Sequence, residues 1–370
     1  MSTRPLRLTF VLGTRPEVVK LAPLILAARS RPGQFRIEVV STGQHREMLT
    51  AMFRWFDITP DVDLDILRPD QSIDYITRAA LAGVSGWLEA HPADWVLVQG
   101  DTSTAFSGAL AAFYHKIPVA HVEAGLRTWD RYSPFPEEMN RRLITQLAQL
   151  HCAPTPLAVS NLRREGVEEK DIAVTGNTGI DSLLWTARKL GVEGIGAGSR
   201  RILVTTHRRE NHGAPLRNIC QAFLEILDSY PDARIQFPVH MSPRVRDVVM
   251  PALGGHPRVE LSDPLGYPEF VKAMAEADII LTDSGGVQEE APSLNKPVLV
   301  LRESTERQEA VDAGLARLVG SSREDIVREV KKLFEREQDS RPNLAARNPF
   351  GDGHAAERIL QGLCTYGQPE

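Results

Sequence analysis

Short apolar runs recur along the whole chain, each closed by a polar turn and most followed by a stretch of helical periodicity. Residues 6–12 form the first run, interrupted only by Arg7 and Thr9. Gly13-Thr14-Arg15-Pro16-Glu17 closes it, and Val18, Val19, Leu21, Leu24 and Ile25 then supply one helical face. Thr14 suits a helix N-cap, and Pro16 suits the first turn, where a missing N–H costs little. The same alternation predicts strands at 37–41, 95–99, 118–122, 150–154 and 172–175. Helices are expected at 72–88, 105–114 and 140–149, with another ending near 190. Beyond the Gly-rich stretch 191–199 a second series begins, with strands at 201–205, 235–239, 259–261, 277–281 and 297–301. Its helices fall at 216–229 and 323–337, and a last helix starts at Ala355.

Strands that are apolar throughout and alternate with helices imply parallel sheets covered on both faces. The expected fold class is therefore α/β, with two doubly wound Rossmann-like domains facing a central cleft. Residues 1–185 form the first domain, 186–199 a linker and 200–354 the second, and the helix at 355–370 returns to the first. A length of 370 residues suits two domains, and 42% hydrophobic residues suffice for two full cores. The net charge of −5 provides no basic field for nucleic acid or an anionic membrane, so any anion site must be local. Cys152, Cys220 and Cys364 are far apart, which argues against a disulfide framework or a zinc knuckle and fits a reducing compartment. No signal-peptide pattern and no apolar run of ~20 residues occurs, so a soluble cytoplasmic protein is expected.

The polar clusters lie just after the strands, where open α/β sheets bind their ligands. The run at 277–281 leads into Asp283-Ser284-Gly285-Gly286 and then a helix opening near Val287. Such a turn aims backbone N–H groups and a positive dipole end at a phosphate, and the glycines remove side chains that would hold it off. Glu290 lies one turn beyond Gly286, placed to accept hydrogen bonds from ribose hydroxyls. Arg15 and Lys20 share the first helix entrance and could both reach a phosphate, or simply remain solvated. Strand exits also carry Asp101, Glu123, Glu137, His207, Arg208 and His240. Carboxylates and a His near an anion site make a kit for proton transfer, although each carboxylate could equally serve as a loop cap or ion-pair partner. His-Glu-x-x-His, Gly-x-Ser-x-Gly, Walker and Gly-x-Gly-x-x-Gly patterns are all missing, so neither a metal nor a nucleophilic Ser is expected.

Six stretches, in order over nearly the full chain, resemble the non-hydrolysing UDP-N-acetylglucosamine 2-epimerases. They are residues 13–17, 100–102, 121–127, 133–138, 207–211 and 283–293, and the likeness continues through 348–353. The resemblance implies a glycosyltransferase-B fold, a homodimer, no metal or nicotinamide cofactor, and interconversion of UDP-GlcNAc with UDP-ManNAc for cell-envelope polysaccharides. It implies proton-transfer roles for Asp101, Glu123 and Glu137 and a place beside the diphosphate for His207. Arg15, Lys20, Phe270, Ser284, Gly285, Gly286 and Glu290 would bind UDP. Some family members bind a second UDP-GlcNAc as activator. Gln44, His45, Arg208 and His240 match that pattern, whereas Glu47 and Asp70 stand where it has Gln and Arg. Acidic groups disfavour a second anionic ligand, so this control is not expected in the same form. The alternatives are a hydrolysing epimerase releasing ManNAc, a 2-epimerase of a modified UDP-sugar, and a glycosyltransferase.

Overall fold

A computed structural model describes residues 4–43, 46–192, 200–335 and 343–366. They form two compact units, Met1–Ser182 with Gly353–Glu370, and Leu183–Asp352. The first unit alternates β1 (Leu6–Leu12), α1 (Arg15–Arg29), β2 (Phe35–Ser41), α2 (Arg46–Trp55), β3 (Val62–Asp63), α3 (Ile73–Ala90), β4 (Trp95–Gln99) and α4 (Ser103–Tyr114). It continues with β5 (Val119–Val122), α5 (Glu137–Leu147), β6 (Leu150–Ala153), α6 (Pro156–Arg164), β7 (Ile172–Val174) and the start of α7 (Thr178–Leu190). The second unit runs β8 (Arg201–Thr205), α8 (Ala214–Ser229), β9 (Arg234–Pro238), α9 (Pro243–Leu253), β10 (Val259–Ser262), α10 (Tyr267–Glu276) and β11 (Ile279–Thr282). After it come α11 (Gly285–Glu290), β12 (Val298–Val300), α12 (Gln308–Asp312), β13 (Ala316–Leu318) and α13 (Arg323–Phe334); α14 (Ala355–Thr365) belongs to the first unit.

Every strand pairing among the described residues is parallel. The sheet orders are β3-β2-β1-β4-β5-β6-β7 and β10-β9-β8-β11-β12-β13. Each chain of strands therefore starts at the middle, winds outward, and reverses, between β1 and β4 in one sheet and between β8 and β11 in the other. At those reversals neighbouring strand ends diverge and leave a crevice. Apolar strands buried on both faces explain the cores. Val11, Val40, Val96 and Val98 pack with Ala105, Ala109 and Ala112 in the first unit, and Val204, Phe223, Phe237 and Leu281 pack in the second.

The expected linker at 186–199 needs correction. Residues 186–190 belong to α7, where Leu183 and Ala187 are buried, and residues 193–199 lie outside the described residues. A buried apolar face, rather than the nearby glycines, governs that stretch. The C-terminal helix is held in the first unit by Asp181, whose carboxylate accepts the N–H groups of Ala355 (3.2 Å) and Ala356 (2.9 Å) at the start of α14. An acidic cap there also offsets the positive end of the helix.

Two buried imidazoles sit on adjacent strands, His121 opposite His151. Burial pushes their pKa values down to about 3 and about 4 respectively. Both are therefore neutral in the fold, while the unfolded chain protonates them below about pH 6.5. The stability they preserve is complete above that pH and is lost as pH falls from there through the folded-state values of about 4 for His151 and about 3 for His121. At pH 5 the expected loss is on the order of 2 kcal/mol per imidazole. Urea unfolding at pH 7 and pH 5 measures it, and equal midpoints would contradict it.

Candidate functional site

In the first unit the candidate residues gather at the β1/β4 reversal and the neighbouring exit of β5. Glu17, buried in the first turn of α1, accepts the N–H groups of Gly13 (2.9 Å) and Thr14 (2.7 Å) and the hydroxyl of Thr102 (2.6 Å). It thus ties the exits of β1 and β4 together. Asp101 follows the Gly100 turn, and Arg141 of α5 reaches its Oδ2 through Nε (2.8 Å) and Nη2 (2.6 Å). Asn140 donates from Nδ2 to the Asp101 carbonyl at 2.8 Å. Glu123, in left-handed backbone geometry (φ 65), has a side chain only 8% exposed. Its Oε2 receives Lys20 Nζ and Gln99 Nε2, each at 2.5 Å. Asp101 and Glu123 are thus each anchored through one oxygen, and a fixed carboxylate is what a proton acceptor needs.

The paired glutamates at the start of α5 divide their work. Glu138 is fully buried and accepts the N–H groups of Thr128 (3.0 Å) and Trp129 (3.2 Å) and Nη1 of Arg141 (3.3 Å), so it shapes the preceding loop. Glu137 has a buried Oε2 with no hydrogen-bond partner among the described residues. A carboxylate oxygen left without a donor is costly unless a ligand or a proton satisfies it. Arg15, the first residue of α1, is exposed and makes no ion pair among the described residues. Lys20, a candidate for the phosphates or for a solvated surface charge, has its ammonium on Glu123 in this structure.

In the second unit the β8/β11 reversal brings together the exits carrying His207 and Asp283. Asp283 is completely buried and accepts the N–H groups of His207 (3.0 Å) and Arg208 (3.0 Å) and Nδ2 of Asn211 (2.9 Å). His207 Nδ1 lies 3.0 Å from the same carboxylate. Burial works against the Asp283 charge, but these contacts outweigh it and hold the carboxyl below its usual range. With Nδ1 donating to Asp283, His207 offers Nε2 outward from a side chain 44% exposed.

Ser284 occupies the N-cap position of α11 without a side-chain capping hydrogen bond among the described residues, and the helix opens with Gly285 and Gly286. A Cβ built on Gly285 would stand 3.5 Å from the Arg307 guanidinium, which is itself held by Glu289. A Cβ on Gly286 would meet nothing within 4 Å, so packing does not demand glycine there. Burial, with a smaller contribution from the charge of half-buried Glu290, holds the Tyr267 phenol well above its ordinary range. Phe270, on α10, is half-buried. Arg208 pairs with Glu306 (3.2 Å), and the exposed His240 has its ring 6.3 Å from that of His207. Gln44 and His45 lie outside the described residues.

The sequence points to Asp101, Glu123 and Glu137 as candidates but not to what holds them. Gln99 carried a signal, a lone amide closing an apolar strand directly before Gly100-Asp101. Arg141 did too, three residues after Glu138 on one helical face. Asp283 lay within a recognised turn, yet only the adjacency of β8 and β11 shows that it serves His207.

A family model described as UDP-N-acetylglucosamine 2-epimerase matches residues 27–364. Over 365 residues the chain is 48% identical to the UDP-N-acetylglucosamine 2-epimerase of Escherichia coli (strain K12), covering 95% of this chain and 97% of that one. The crystal structure of UDP-GlcNAc 2-epimerase from Neisseria meningitidis bound to UDP-GlcNAc is 43% identical, with a TM-score of 0.83, over 97% of this chain and 100% of that one. The Methanocaldococcus jannaschii UDP-GlcNAc 2-epimerase, in complex with UDP-GlcNAc and UDP, is 34% identical with a TM-score of 0.74, over 98% and 100% of the two chains. The fold is of the glycosyltransferase-B class.

Proposed function

The chain belongs to the UDP-N-acetylglucosamine 2-epimerase family, and on that premise we propose that it interconverts UDP-GlcNAc and UDP-ManNAc without hydrolysing them. The C2 proton of the sugar is not adjacent to a carbonyl, so its direct removal is prohibitive. Breaking the C1–O bond to the β-phosphate first, or in the same step, makes C1 cation-like and acidifies C2–H. The bonding electrons leave with UDP, the proton passes to a carboxylate, and a C1=C2 double bond forms a 2-acetamidoglucal. Return of a proton to the opposite face of C2 and of the phosphate oxygen to C1 completes the inversion. The sequence is redox-neutral and calls for no nicotinamide.

Asp101, Glu123 and Glu137 are the groups we assign to the proton, and the unpartnered Oε2 of Glu137 is the observation that carries the reading. A carboxylate used only to shape a loop would resemble Glu138, with its oxygens satisfied. His207, oriented by Asp283, is assigned to the departing diphosphate, with Arg15, Ser284, Gly285, Gly286, Glu290 and Phe270 holding UDP. Lys20 is assigned to Glu123 rather than to a phosphate, on the strength of their contact. Incubation with UDP-GlcNAc in deuterated water, without an acceptor, tests the whole. The expected result is UDP-ManNAc and UDP-GlcNAc both carrying deuterium at C2. Free ManNAc would indicate the hydrolysing type, and unlabelled substrate would exclude epimerisation.

The open space above Gly286 gives a separate expectation. Gly286→Ala adds a methyl group where the protein has room and a diphosphate would not. UDP binding is expected to weaken roughly tenfold with an unchanged melting temperature, since about 1.4 kcal/mol is a plausible cost of one obstructed backbone contact. Calorimetric titration with UDP checks it, and unaltered affinity would place the diphosphate elsewhere.

A further inference from the structure

His121 is fully buried on β5, and none of the proton-transfer or nucleotide-binding assignments uses it. Its Nε2 lies 2.7 Å from the carbonyl oxygen of Gly100, and its Nδ1 has no partner among the described residues. All the hydrogen bonding of the ring is therefore directed at one atom. That carbonyl belongs to the same planar peptide unit as the Asp101 nitrogen, so fixing it fixes the plane from which Asp101 departs. The turn needs such a restraint. Gly100 has φ +70, a conformation open to glycine but not enforced by it, and a Cβ there would meet nothing within 4 Å. On one side the turn is held by Gly100 N–H to Val122 O (3.0 Å), and beyond it by Asn140 on the Asp101 carbonyl. His121 supplies the remaining restraint on the peptide between them.

We propose that His121 is a positioning residue for the reaction, holding the Gly100–Asp101 peptide so that the Asp101 carboxylate faces the sugar C2. The proposal rests on the assignment of Asp101 to proton transfer. Because the buried ring stays neutral down to about pH 3, Nε2–H donates throughout the working range and adds no inflection to the rate profile.

The test compares H121F, which keeps the bulk and loses the donor, with H121Q, whose side-chain amide can donate to the same carbonyl. H121N, too short to reach it, replaces H121F if the latter does not fold. Small misplacements of a reacting group cost up to about a hundredfold. In H121F or H121N, kcat for C2 exchange in deuterated water is expected to fall roughly thirtyfold, with KM and the UDP dissociation constant within about twofold of wild type. H121Q is expected to recover most of the rate. In a D101N background, H121F should cost nothing more, because the two residues act as one unit. Wild-type kcat in H121F, an H121Q as slow as H121F, additive losses in the double variant, or UDP affinity falling in step with kcat would each overturn the proposal. If D101N itself exchanges at the wild-type rate, it is the assignment of Asp101 that fails.

Discussion

Asp101→Asn is expected to slow exchange of the sugar C2 proton with solvent by about a thousandfold, within the range that general acid–base groups contribute. The substitution keeps the size of the side chain and the carbonyl contact from Asn140, so the Gly100 turn stays in place. It removes the charge that meets Arg141 at Oδ2 and the basicity of the other oxygen. UDP binding, assigned to Arg15, Phe270, Ser284, Gly285, Gly286 and Glu290 and not to Asp101, should stay within about twofold of wild type, so the loss falls on kcat rather than on ground-state affinity. Exchange measured by proton NMR in deuterated water, beside a UDP titration, separates the two. Wild-type exchange would remove Asp101 from the chemistry.

Glu137→Gln is the second large effect, with a comparable loss of exchange expected. Its interest lies in the comparison with the next residue. Glu138 takes three donors, from Thr128, Trp129 and Arg141, and is fully buried. Glu138→Gln replaces a charge acceptor with a group that can accept only through one oxygen, which costs about 1–3 kcal/mol of folding stability. Glu137 has no such contacts to lose among the described residues, so Glu137→Gln should melt at the wild-type temperature while turning over far more slowly. Thermal melts and C2 exchange on the two variants therefore differ in opposite ways. A Glu137→Gln variant that melts early and turns over normally would reverse the assignment.

The sheets were legible because parallel strands buried on both faces leave continuous apolar runs, as at β4 and β8, whose limits match the expected ones. Helices α2, α6, α9, α10 and α12 and strands β3 and β13 went unread; α6 follows β6 after only two residues, and β13 is three residues long. The strand at 235–239 begins one residue earlier, at Arg234, because a charged residue at a strand end does not break the ladder. Asp101 and Glu123 were legible by their place after β4 and β5, whereas Glu137 opens α5 well beyond β5, and the partners of all three were not legible. Lys20 reads from sequence as a cation near a phosphate loop, and only the neighbouring positions of β1, β4 and β5 bring it to Glu123. Glu137 and Glu138 are indistinguishable in the chain, and what separates them is which one faces the N–H groups of Thr128 and Trp129. Long-range hydrogen bonds of this kind depend on sheet order, which periodicity does not encode.

Detachment of UDP from the sugar is the claim on which the rest depends, and an isotope in the bond that breaks reports on it directly. UDP-GlcNAc is prepared with oxygen-18 bridging C1 and the β-phosphate, incubated with the enzyme, and recovered. If UDP leaves and returns, rotation of its terminal phosphate carries part of the label into the non-bridging positions of recovered UDP-GlcNAc and UDP-ManNAc. Epimerisation with the label wholly retained in the bridge would show no detached UDP with a freely turning terminal phosphate, the result that contradicts the elimination account.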